Sequence, residues 1–120
     1  MVCKRDPMKF NSTILDLKRF RLKEKERQSA QLAKMIIEFE DMVQMLSQKI
    51  IKEEEKTGID NCTHFAYSAL AQAARQRREN LLASLVEIKA QKERLDKEII
   101  KHQQETNFFA RNTPSRKKIL

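Results

Sequence analysis

The chain reads as an all-α protein, an antiparallel two-helix coiled-coil hairpin, and three observations carry that reading. Charged residues fill 35% of its 120 positions, and the chain holds one glycine, Gly58, and two prolines, Pro7 and Pro114, both near the ends. Nothing between the prolines interrupts a helix except the stretch around Gly58, and a composition rich in Ala, Glu, Lys, Leu, Arg and Gln is typical of long helices. Apolar residues also recur every seventh position on both sides of Gly58, as a coiled-coil seam requires.

In the first half the ladder is Leu15, Leu22, Ser29, Ile36, Val43 and Ile50, with Leu32, Phe39 and Leu46 three residues after Ser29, Ile36 and Val43. Met35 and Met42 widen this stripe, whereas Lys18 and Lys25 take the matching positions nearer the N-terminus and weaken it. Thr13 with Asp16 three residues later has the form of a capping box, so the first helix is expected over 13–56 after a basic segment at 1–12. Gly58 supplies the left-handed residue that ends a helix, and Glu53, Glu54 and Glu55 sit unfavourably at that C-terminus, so the last turn is expected to fray.

Turn chemistry fills 57–63, and either Thr63 or Ser68 caps the second helix, which is placed at 64–106. Its ladder is Tyr67, Ala74, Leu81, Ile88, Leu95 and His102. The flanking partners Leu70, Leu85 and Ile99 drift around the helix, so the contact face is expected to rotate. The antiparallel arrangement sets Ile50 near Tyr67–Leu70 and Leu15 near Ile99–His102, with both basic termini at one end and the turn at the other. Residues 107–120, with Phe108, Phe109, Pro114, Arg116, Lys117 and Lys118, are expected to form a disordered basic tail.

Aromatic residues are 6% and tryptophan is absent, so burial comes from a thin seam and stability is expected to be marginal. Net charge is +8, concentrated at the ends: residues 1–27 carry nine Lys/Arg against four Asp/Glu, and 107–120 carry four against none. Such ends suit nucleic acid, an anionic membrane or an acidic protein surface. No apolar run approaches a membrane span, no signal-peptide core stands at the N-terminus, and two cysteines make no disulfide framework, so a cytoplasmic setting is expected.

No enzyme chemistry is expected. There is no phosphate-binding glycine loop and no nucleophile elbow, and the acidic residues read as solvated helix faces, several paired at i+4 as Glu93 is with Lys97. Neither a cofactor nor a metal site is expected, since Cys62 and His64 are two ligands and the hairpin sets Cys3 and His102 far from them. The same separation forbids a Cys3–Cys62 disulfide. The basic run Lys18-Arg19-Phe20-Arg21-Leu22-Lys23 before a heptad seam has the order of a basic zipper. Glu24 and Glu26 would face phosphates, no Asn there reads a base edge, and a zipper needs no second helix, so nucleic acid is not the expected partner. In the run Ala73–Leu81, Arg77 falls near the seam, where it either snorkels or meets a partner.

Thr57-Gly58-Ile59, His64-Phe65-Ala66-Tyr67 and Ala73-Ala74-Arg75-Gln76-Arg77-Arg78-Glu79-Asn80-Leu81, supported by Leu17-Lys18-Arg19-Phe20 through Phe39-Glu40, resemble the FliJ family of flagellar type III export proteins. The likeness is to the alphaproteobacterial branch and covers about residues 10–100. It implies a non-enzymatic coiled coil, similar to the stalk of rotary ATPases, at the cytoplasmic face of the inner membrane. Its implied partners are the flagellar export ATPase, the export gate membrane protein and the export chaperones. Family members continue the second helix further than the sequence pattern does here. The expected binding residues are Lys18, Arg19, Arg21, Lys23 and Arg27 towards the ATPase and Phe65 and Tyr67 towards the gate, with Arg75, Arg77 and Arg78 as a further partner surface. An export chaperone that shields subunits through Met35, Met42 and Met45 is the alternative function.

Overall fold

The computed structural model describes residues 7–112, with side chains from Ser12 onward. Two long helices make up an all-α helical hairpin: α1 is Pro7–Thr57, of 51 residues, and α2 is Ala69–Asn112, of 44. Helix α1 starts six residues before the expected Thr13, which lies inside it. Pro7 heads the helix, where its fixed φ suits the first turn and its missing N–H leaves no bond unmade. At the other end α2 starts five residues later than expected and runs six residues beyond Thr106, so 107–112 is helical rather than tail. The rest of the expected tail and residues 1–6, with Cys3, lie outside the described residues.

The connection at 58–68 explains the late start of α2. Gly58 has φ 75° and donates its N–H to the Glu54 carbonyl at 2.8 Å, which closes the C-terminus of α1. Asn61 then accepts from the Thr63 N–H at 3.0 Å and the Thr63 hydroxyl at 2.7 Å, and its own carbonyl accepts from the His64 N–H at 3.0 Å. Those bonds commit Thr63 to the turn. Ser68 is the helix cap, its hydroxyl accepting from the Ala71 N–H at 3.2 Å.

Two compact units divide the chain. In Leu32–Lys92 the helices run antiparallel, fixed by Tyr67 against Glu54, Arg78 against Ser47 and Lys89 against Glu40. These pairs set Ile50 level with Ala74, one turn further along α2 than expected, because the longer connection delays every seam partner. The apolar burial in this unit rests on Ile50, Ala71, Ala74 and Leu85. In the unit of Met1–Gln31 and Glu93–Leu120, Ser29 faces Asp96, Lys25 faces Glu98 and Lys18 lies over Phe109. Leu15 is therefore beyond Phe109 and well past the expected Ile99–His102. Here Ile99 is buried together with two polar residues, Ser29 and Thr106, and the Ser29 hydroxyl donates to Asp96 at 2.5 Å.

The contact face of α2 does not rotate. Its seam residues, led by Tyr67 just before the helix, alternate by four and three without a break: Ala71, Ala74, Arg78, Leu81, Leu85, Ile88, Lys92, Leu95, Ile99, His102 and Thr106, each buried or half-buried. Leu70 is 57% exposed and belongs to no seam. The expected drift came from choosing Leu70 over Ala71. Arg77 is likewise exposed, and Arg78 takes the seam position with its guanidinium on the Ser47 hydroxyl at 3.2 Å.

A Cβ at Gly58 would meet no atom within 4 Å, so Gly58→Ala isolates the backbone cost of the left-handed residue. The variant is expected to lose about 1–2 kcal/mol, read as a lower denaturant midpoint with an unchanged slope.

Candidate partner-binding surfaces

Arg19, Arg21, Lys23 and Arg27 stand exposed on α1. Of these, Arg27 pairs with Glu24 at 2.8 Å, an exposed pair worth little, and no ion pair engages Arg19, Arg21 or Lys23 among the described residues. Lys18 departs from this group. It is half-buried in the seam, with its ammonium 5.5 Å from the centre of the Phe109 ring, a cation–π contact that ties α1 to α2. Phe20 stands among these cations at 62% exposure, an apolar group the charge pattern did not single out.

The connection presents a different surface. Phe65 is 96% exposed and stacks on His64, ring centres 4.7 Å apart, while the His64 Nδ1 accepts from the Ala66 N–H at 3.0 Å. The imidazole is thereby fixed to its own turn and holds the phenyl ring outward. Cys62 is exposed and free.

Tyr67 is not a free surface group. It is half-buried at the head of the α2 seam and donates its hydroxyl to the Glu54 carboxylate at 2.7 Å. Burial, then the bond and charge of Glu54, raise its pKa above the ordinary 10.0, opposed by Arg75. The Arg75 pKa is raised too, by Cys62 first, with Tyr67 and Glu54 adding and burial opposing, so the guanidinium stays charged. Glu54 and Tyr67 thus form a polar clasp across the connection, with the Arg75 charge beside it. Glu54 was expected only to fray a helix end; a contact across 13 residues leaves no mark in heptad spacing.

Of the three arginines in the Ala73–Leu81 run, Arg78 bonds to Ser47 and Arg75 is half-buried beside Tyr67, whereas Arg77 is left for solvent or a partner with Ala73, Gln76 and Asn80 beside it. The methionine face is also reduced. Met35 and Met42 are half-buried along the seam, and Met45 is 69% exposed. No described helix is long and apolar enough to cross a membrane. No protein-family model, curated protein or solved structure matches the chain.

Tyr67 is the chain's one tyrosine and there is no tryptophan, so its phenolate absorbance is read without interference. The folded state favours the neutral phenol. That contribution is intact below pH 10 and is lost as pH rises through the higher folded value. Titration should give a midpoint above 10.0, and Glu54→Gln should bring it partway down, since burial is the larger cause. A wild-type midpoint at the ordinary value would mean the clasp is open.

Proposed function

We propose that this chain is a non-enzymatic part of a flagellar type III export apparatus, a coiled-coil stalk that couples the export ATPase to the export gate. The observation that carries the proposal is the set of exposed cations on an uninterrupted helix, Arg19, Lys23 and Arg27 four residues apart along one face and Arg21 on the opposite side, within a stretch that resembles the FliJ family. A stalk must be stiff and must offer successive subunits a surface they can grip. A continuous hydrogen-bonded helix supplies stiffness, and exposed cations, of which Arg27 alone is paired, supply a long-range attraction to acidic loops at low desolvation cost.

The turn surface suits the second contact, towards the membrane gate. Phe65 is an aromatic anchor held outward by His64, the kind of group that dominates binding energy when a pocket takes it. Arg77 with Ala73, Gln76 and Asn80 forms the third surface, for export chaperones. On this proposal the protein works at the cytoplasmic face of the inner membrane. Arg75, Arg78, Tyr67 and Lys18 shape the hairpin and act on partners only through it. The chaperone alternative has less to stand on, because two of its three methionines line the seam.

The test is co-purification with the export ATPase from the same cell, using Arg19→Glu, Arg21→Glu and Lys23→Glu together. Lys18 is left intact because of its contact with Phe109. The reversal is expected to weaken ATPase binding at least about tenfold, with helicity and gate binding unchanged. Loss of gate binding instead would reverse the orientation. Retention of export chaperones with no ATPase binding by the wild type would favour the chaperone role.

A further inference from the structure

The unit Leu32–Lys92 carries an apolar face that its own seam does not use. An open groove of about 380 Å³ runs along one side, lined on α1 by Glu40, Val43, Gln44 and Ser47 and on α2 by Leu82, Leu85 and Lys89. Gln44 lies near its centre. One heptad before it stands Ile37, 60% exposed, and one heptad after it Ile51, 54% exposed, so the three share a face of α1. Across the groove Leu82 is 43% exposed, and Val86, one turn on, is 70% exposed.

The order Ile37, Gln44, Ile51 is the same read in either direction. A two-fold axis perpendicular to α1 at Gln44 brings two copies of the helix together antiparallel. Each Ile37 then meets Ile51 of the other copy, and Gln44 meets Gln44. A side-chain amide carries both donor and acceptor, so two glutamines across a two-fold satisfy each other. One polar position between apolar ones also fixes the register of a helix pair. Leu82 lines the same groove and lies beside the same axis, where it faces its own counterpart. On α1 the patch is complementary to itself, as an isologous interface requires, whereas on α2 the same axis sets Arg75 against Lys89 of the other copy, which holds the affinity down.

We infer that this face pairs two copies of the chain in solution, α1 against α1 and α2 against α2, about an axis at Gln44. The inference is independent of the export proposal. The four apolar side chains offer on the order of 400 Å² per copy, about half of what each partner buries in a standard-size interface. The dimer is therefore weak and reversible.

The measurement is sedimentation of the full chain, with Cys3 and Cys62 changed to serine, from about 1 μM to about 1 mM. The mean mass is expected to rise from the monomer's 14.2 kDa towards twice that value. Ile37→Glu with Ile51→Glu should keep helicity and hold the mass at the monomer's across the range. Both positions are exposed, so the hairpin does not need them. Gln44→Cys in the same background should form a disulfide dimer under mild oxidation, whereas Glu38→Cys, on another face, should not. A monomer at every concentration overturns the inference. So does a dimer that survives the double glutamate change, or one that crosslinks equally at Glu38.

Discussion

The alternation of four and three residues between seam positions is the constraint on which the rest of this protein depends. It holds one stripe of each helix against the other and sends every remaining side chain outward. The stripe is thin. Among the described residues the buried apolar ones are Ile50, Ala71, Ala74, Leu85 and Ile99, two of them alanines, and no large side chain is fully enclosed. Each large side chain fully removed from water contributes about 1.5–3 kcal/mol, so a seam of half-buried residues holds the hairpin with little to spare. The polar contacts add more to specificity than to stability. Ser29 on Asp96 and Arg78 on Ser47 are satisfied in one register, and a slip by one turn would leave their groups without those partners.

Because the seam takes few residues, function is left to the outward faces, and the two units present different chemistry there. One offers cations on α1 with Phe20 among them. The other offers the stacked Phe65 at the connection and an apolar groove around Gln44. The connection is held by a series of polar contacts. Gly58, Asn61, His64 and Ser68 each spend a hydrogen bond on the backbone, and Glu54 clasps Tyr67. That order is what lets an aromatic ring stand almost wholly in solvent in a defined place.

Much of α1 was legible in the sequence because its seam is written in large apolar residues at strict spacing. Helix α2 was harder. Its second ladder runs through Ala71, Arg78, Lys92 and Thr106, residues that register as surface, while the exposed Leu70 invites the wrong choice. The start of α1 was misplaced because Thr13 and Asp16 imitate a cap, and Pro7 was the stronger signal. The exposed cations were legible as charges. What could not be seen was which of them the hairpin consumes, since Lys18 and Arg78 find partners on the other helix. Ile37, Ile51, Leu82 and Val86 were legible as apolar residues off the ladder, and their common face emerges once the register is known.

The register itself is the central claim, and a pair of cysteines tests it most directly. Ser47→Cys with Arg78→Cys, in a chain with Cys3 and Cys62 changed to serine, puts one thiol on each helix at seam positions that the bond of the Arg78 guanidinium to the Ser47 hydroxyl sets level. Mild oxidation at low protein concentration should close a disulfide within one chain, and Ser47→Cys with Leu70→Cys, an exposed position off the seam, should not. Crosslinks that form only between chains would mean that the helices pair between molecules. Equal closure of the control would mean that the seam has no fixed register, and either result contradicts the hairpin on which every surface here depends.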